Sequence, residues 1–224
     1  MHVILIRHGE PCTVETAGEP ADPGLTERGR WQAQRVSEWL ACEPIDAIVT
    51  SSKTRAIETV EPLVGMRGLE PSVVADLDEI DRRSTVYAPF QVMAQRFPDY
   101  WQAIQEQRWA DIGWDSFEEF ERRVVAAWEG LIARPPGAHI AVGCHGGVIG
   151  VILAHITGIT ERWSFANPPF ASCARIDIAE DGRAQVLSMN ETGHFDAMRD
   201  RVVGTAGEGF AEPDASPPGE HTES

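Results

Sequence analysis

The chain is predicted to be an α/β protein, a three-layer α/β/α sandwich around a mostly parallel central sheet with one antiparallel edge region. Short apolar runs alternate with longer helical patterns from Met1 to Thr157, the order produced by β-α-β units. Those runs are continuous rather than alternating, as in strands buried on both faces. Two later runs, 172–178 and 184–189, flank Glu180-Asp181-Gly182 and read as an antiparallel hairpin at a sheet edge.

The first strand is Met1-His2-Val3-Ile4-Leu5-Ile6, and it ends in Arg7-His8-Gly9-Glu10. A loop rich in Gly, Pro and acidic residues follows, 10–24, long enough to overhang a site as a lid. Thr26 and Gly29 open an amphipathic helix over 30–41, with Trp31, Val36, Trp39 and Leu40 as its apolar positions, and Pro44 ends it. Residues 45–50 form the next strand and 54–64 the next helix. A third apolar run, 72–75, leads into the acidic cluster Asp76, Asp78, Glu79 and Asp81. Segments 89–109, interrupted by Pro98, and 116–134 read as helical, the second with a Ser cap and a Glu-rich first turn that suits the helix dipole. Strand 138–143 ends in Cys144-His145-Gly146-Gly147 and feeds a helix over 148–157. Residues 1–203 are expected to form one domain. From Gly204 onward Gly, Pro, Ser and Glu leave little to bury, so 204–224 is expected to be a disordered tail.

Composition narrows the function. The 224 residues carry 35 acidic and 19 basic side chains, a net charge of −16. That balance argues against nucleic acid or an anionic membrane as partner, so an anionic ligand would need a local basic pocket. The opening apolar stretch is too short for a signal-peptide core, and no other segment approaches a membrane span. Cys12, Cys42, Cys144 and Cys173 lie far apart with no Cys-x-x-Cys pair, which points to a reducing cytoplasm rather than a disulfide framework or zinc knuckle. Nothing in the chain specifies monomer or homodimer.

Open α/β sheets place their chemistry just beyond the carboxyl ends of the strands. Four strand-like runs release His8 with Arg7, then 51–55 with Arg55, then Glu79, then His145, and right-handed crossovers put all four ends on one sheet edge. Two histidines, two arginines and a carboxylate would thus share a crevice. Arginine keeps its charge and offers a planar fork of donors, so this set points to a phosphate or carboxylate ligand rather than a metal cation. His2, His139, His155 and His221 are expected to be structural or on the surface.

Five segments carry a resemblance to a known family. They are Leu5-Ile6-Arg7-His8-Gly9-Glu10, Leu25-Thr26-Glu27-Arg28-Gly29-Arg30 with Gln32-Ala33, Ser51-Ser52 through Arg55-Ala56 and Thr59, Leu77-Asp78-Glu79-Ile80, and His145-Gly146-Gly147-Val148. In this order and spacing they resemble the histidine phosphatase superfamily, in the branch that includes cofactor-dependent phosphoglycerate mutases. The resemblance implies a phosphatase that hydrolyses a small phosphorylated metabolite through a phosphohistidine on His8, with neither cofactor nor metal. By the same resemblance a carbonyl near Gly9 would hold the His8 ring proton, while Arg7, Arg55, His145 and Gly146 bind the phosphoryl group, His145 as a cationic donor. Glu79 would supply the proton to the leaving alkoxide, with Asp76, Asp78 and Asp81 as neighbouring competitors. His194, in an Asn-x-x-x-His segment seen in some members, is expected to be structural.

The chain departs from the family after Glu79. Many members show a Gly-x-x-Glu-Gly type of segment there, and mutases carry a basic, Tyr-containing insertion; this chain reads Asp81-Arg82-Arg83-Ser84-Thr85. Hydrolysis is therefore favoured over the alternatives, a phosphoglycerate mutase-type transfer and a non-catalytic phospho-ligand binding module. A metallohydrolase built on His8 and His145 is disfavoured because two adjacent arginines would repel the cation. Arg82 and Arg83 are expected to pair with Asp78 or Asp81.

Overall fold

Residues His2–Arg7 form strand β1, and its side chains sort alternately to two apolar layers: Val3 and Leu5 to one, Ile4 and Ile6 to the other. A strand with two buried faces must be covered by helices on both sides. The computed structural model describes residues 1–133, 138–160 and 168–195. After β1 come β2 (Val14–Glu15), α1 (Glu27–Trp39), β3 (Ala47–Thr50), α2 (Thr54–Arg67), β4 (Ser72–Val73), β5 (Val86–Tyr87), α3 (Phe90–Arg96) and α4 (Pro98–Gln105). They are followed by α5 (Phe117–Ile132), β6 (His139–Cys144), α6 (Gly146–Thr157), β7 (Cys173–Ile178) and β8 (Ala184–Glu191).

The sheet runs β4-β3-β6-β1-β7-β8. Its first four strands are parallel, and β7 and β8 add the antiparallel edge that the hairpin pattern predicts. One apolar layer packs Val3, Leu5, Val49, Ile140 and Val142 against α5 and α6, centred on the buried Phe120, Trp128 and Ile152. The other packs Ile4, Ile6, Ile48 and Ala141 against Val36 and Leu40 beside α1 and Val60 and Leu63 of α2. The three-layer α/β/α sandwich is thus present. Among the described residues no helix is long and apolar enough to cross a membrane.

Local chemistry sets the element ends. Thr26 caps α1, its hydroxyl accepting from Gly29 N at 3.0 Å, and Ser116 caps α5 by accepting from Glu119 N at 3.1 Å. Gly68 and Gly158 close α2 and α6 in the left-handed conformation.

Several expectations need correction. The helical reading of 89–109 divides at Phe97, because Pro98 clashes with a helical residue before it and starts α4 instead. Residues Trp109–Ile112 then form a short 3₁₀ turn. The run 72–75 pairs only over Ser72–Val73, and a 3₁₀ turn at Ala75–Leu77 separates it from Glu79. Trp31 and Trp39 are not core positions of α1; they are 37% and 45% exposed, Trp31 stacking on Phe195 and Trp39 lying tilted against His194. The loop 10–24 is tied down: Val14 and Glu15 of β2 pair with Tyr87 and Val86 of β5. The expected tail, 204–224, and the last residues of the 1–203 unit lie outside the described residues.

One close approach locks α1 to the end of β1. A Cβ on Gly29 would lie 2.1 Å from the Glu10 carbonyl oxygen, and one on Gly9 would lie 2.6 Å from that of Gly29. Backbone cannot yield as a flexible side chain does. Gly29→Ala is expected to cost about 2–3 kcal/mol of stability, read as a lowered urea midpoint. Gly65→Ala, inside α2 where a Cβ meets nothing within 4 Å, is expected to raise stability by about 0.5–1 kcal/mol.

Candidate active site

Parallel pairing in register sets the site. His2 through Arg7 stand opposite His139 through Cys144, so the next residues, His8 and His145, emerge side by side with ring centroids 5.2 Å apart. Thr50 stands opposite Gly143 on the other flank of β6, which brings Ser51 to His145.

His8 is buried, and its Nδ1 lies 2.8 Å from the Gly9 carbonyl oxygen. A carbonyl only accepts, so Nδ1 carries the proton and Nε2 keeps its lone pair. Burial, followed by the charges of Arg55 and Arg7, holds the ring well below the usual histidine range, against the opposing Gly9 bond. Gly9 N in turn donates to Thr59 Oγ1 at 2.9 Å, and Thr59 donates to the Arg55 carbonyl at 2.6 Å.

Arg7 and Arg55 flank His8, each backed by an aromatic ring. The Arg7 guanidinium sits 4.2 Å from the centre of Phe170, and Nη1 donates to the Pro168 carbonyl. Arg55, on the first turn of α2, is fully buried, lies 4.4 Å from the centre of Tyr87, and meets Asp81 Oδ1 through Nη2 at 3.2 Å. Arg7 Nε and Arg55 Nε and Nη1 have no hydrogen-bond partner among the described residues. Gly146, the first residue of α6, leaves room for this arrangement: a Cβ there would lie 3.3 Å from Arg7 Nε.

His145 is fully buried, with Nε2 2.7 Å from Ser51 Oγ and Nδ1 unpartnered. Lys53 N donates to the same Ser51 hydroxyl at 3.2 Å. Burial first, then the charges of Arg55, His8, Lys53 and Arg7, push His145 well below the usual range, which favours the neutral imidazole over the expected cationic donor.

Glu79 is brought to the same edge by its backbone. Its Oε1 accepts from Ile80 N at 2.9 Å and its Oε2 from Gly147 N at 2.8 Å, at the start of α6. A Cβ on Gly147 would lie 2.3 Å from Oε1, so the glycine is required by the carboxylate. Burial, then the Asp81 charge, raises Glu79 above the ordinary glutamate value despite both backbone donors and Arg55.

The segment before Glu79 is gripped by Arg123 of α5. Its guanidinium donates to the carbonyls of Asp76, Asp78 and Glu79 at 2.9, 2.6 and 2.9 Å and pairs with the fully buried Asp115 at 2.8 Å. Arg82 and Arg83 also meet Asp115, at 3.1 and 2.8 Å, and Glu119, at 3.3 and 3.6 Å, not Asp78 or Asp81 as expected. Asp78 instead accepts from Ser52 N at 2.8 Å.

His194 has a structural contact, with Nε2 2.8 Å from the Ala171 carbonyl oxygen. His2 and His139 pair with Asp177 and Asp46 at the opposite end of the sheet. Asp81, Tyr87, Phe170 and Arg123 join the site without having been singled out as members from sequence, and Ser51 joins it from a quoted segment in which it had no assigned role. Asp81 had a signal as one of the acids around Glu79. Among the described residues no group of three or more His, Cys, Asp or Glu side chains is placed to hold a metal ion.

The chain is similar to known proteins. A Schizosaccharomyces pombe protein named as a probable phosphatase is 24% identical over 214 residues, 88% of this chain and 96% of that protein. Phosphoglycerate mutase-like protein 4 of Arabidopsis thaliana is 30% identical over 154 residues, 66% of this chain and 67% of that one. The α-ribazole phosphatase of Shigella flexneri superposes with a TM-score of 0.66 at 23% identity, covering 85% of this chain and 96% of that structure. Residues 3–192 match the family model of the histidine phosphatase superfamily, branch 1. The chain is a member of that superfamily.

Proposed function

We propose that this protein is a metal-independent phosphatase that hydrolyses a small phosphomonoester through a phosphohistidine on His8. The observation that carries this reading is the ring of buried nitrogens around His8 that have no partner among the described residues: Arg7 Nε, Arg55 Nε and Nη1, and His145 Nδ1. A buried donor without a partner costs about 1–3 kcal/mol, and a bound phosphoryl group would satisfy all four at once. Two guanidinium cations supply its counter-charge.

The two half-reactions balance on these residues. The Nε2 lone pair of His8 forms a bond to phosphorus while the ester P–O bond breaks, and the leaving alkoxide takes its proton from Glu79. Water then attacks phosphorus, its proton returns to Glu79, the N–P bond breaks, and inorganic phosphate leaves. Arg7, Arg55 and His145 stabilise the equatorial oxygens throughout. Hydrolysis is favoured over transfer to a second hydroxyl because Arg82 and Arg83 are already held by Asp115 and Glu119 rather than free to grip a bisphosphate.

His8→Ala is expected to lower kcat by roughly 10³-fold or more and to abolish the acid-labile, base-stable phosphate trapped by quenching turnover of a ³²P-labelled substrate. Trapping that persists in His8→Ala would overturn the proposal. Turnover in excess chelator is expected to equal that without it; a loss restored by a divalent ion would contradict metal independence.

The pH profile follows from two opposite displacements. His8 must be neutral to attack, and its ring is held below the usual histidine range, so activity falls only on the acid side of that range. Glu79 must carry a proton, and its carboxyl is raised, so activity falls on the alkaline side of the ordinary glutamate value. The kcat profile is expected to be a bell between these limits. Glu79→Gln is expected to lower kcat by roughly 10²–10⁴-fold and to remove the alkaline limb; an unchanged limb would assign the proton to another group.

A further inference from the structure

We infer that Asp81 is a positioning residue of this site, which fixes the Arg55 fork against its back and sets a negative charge beside Glu79. The inference rests on the phosphoryl-transfer reading above, in which Arg55 holds the phosphoryl group and Glu79 its proton. Asp81 lies two residues beyond Glu79 on the same loop, and its Oδ1 meets Arg55 Nη2 at 3.2 Å with only 12% of the side chain exposed. The carboxylate and the Tyr87 ring thus hold Arg55 from its edge and its face. Held this way, the guanidinium keeps Nε and Nη1 unpartnered. A guanidinium with three nitrogens and one partnered edge has few other orientations in a buried site.

The charge has a second consequence. Burial opposes the Arg55 charge, but Asp81 heads the favourable interactions that more than offset it. The same carboxylate follows burial as the next cause of the raised Glu79 value. Other charged or titratable groups facing Glu79 are Arg55 of α2, Arg7 of β1, Tyr87 of β5 and Cys144 of β6. Asp81 is the acidic partner in this set, so removing its charge leaves the arginines unopposed and favours loss of the Glu79 proton.

Asp81→Asn removes the charge but keeps an oxygen that accepts from Arg55 Nη2; Asp81→Ala removes both, and Asp81→Glu keeps the charge. A ¹³C carboxyl NMR titration, with Glu79 assigned by its loss in Glu79→Gln, needs no turnover. In Asp81→Asn the Glu79 midpoint is expected to fall by about one pH unit, and in Asp81→Glu to return toward the parent value. The alkaline limb of kcat is expected to move with it, so the activity loss grows with pH. At about pH 5, below the ordinary histidine value, Asp81→Asn is expected to lose less kcat/KM than Asp81→Ala, which loses about tenfold. An unmoved Glu79 midpoint in folded Asp81→Asn, or equal activities of the Asn and Ala variants at low pH, would overturn the assignment. If the midpoint moves but the parent protein hydrolyses no phosphomonoester, the phosphatase reading fails and the role of Asp81 toward Glu79 stands.

Discussion

The parallel ladder between β1 and β6 is the constraint on which the site depends. Its register places Arg7 opposite Cys144, so the peptide following each strand delivers a histidine to the same edge at the same height. His8 N donates to the Cys144 carbonyl at 2.9 Å, which extends the ladder one residue into the site. Side-chain period in a strand is two, and a slip of one residue would turn both apolar layers inside out. The spacing of His8 and His145 therefore inherits the full specificity of the hydrophobic core. β3 adds Ser51 by the same rule on the other side of β6.

Burial is the second determinant, and it acts with opposite sign on the two kinds of group. Removing water disfavours charge, so His8 and His145 stay neutral and Glu79 holds its proton more tightly, while two arginines remain cationic because their intrinsic values lie so high. Two imidazoles that favour their neutral form, a carboxyl of raised proton affinity and two cations can therefore coexist in one small space. The aromatic faces of Phe170 and Tyr87 serve the same end, shielding the guanidinium planes from solvent without engaging their donor edges.

Much of this was legible in the sequence, and the residues show why. Arg7, His8 and His145 directly follow or end apolar runs, so strand pattern plus the rule about carboxyl ends locates them. Arg55 and Glu79 were legible through the family resemblance and the order of elements, although Glu79 reaches the edge through a 3₁₀ turn rather than from a strand. What the pattern could not show depends on long-range packing. Tyr87 sits in a two-residue strand that exists only because β2 lies beside it, and Arg123 looks like any surface arginine of an amphipathic helix. The neutral form that burial and the Arg55 charge favour at His145 depends on the same long-range packing.

Arg123 also explains how a carboxylate outside the parallel ladder is held to the same tolerance. Glu79 follows a strand of only two paired residues, and a segment with so few ladder bonds would otherwise wander. Three carbonyls from Asp76 to Glu79 converge on one guanidinium, and Asp115, just before α5, neutralises it. Because α5 packs in the same apolar layer as β1 and β6 through Phe120, Val124 and Trp128, the clamp refers Glu79 to the core that sets His8 and His145. Gly147 completes the connection from α6, donating its N–H where any side chain would displace the carboxylate. His8 and Glu79 are thus positioned by different elements but measured from a single hydrophobic layer, so loosening that layer would disturb their alignment.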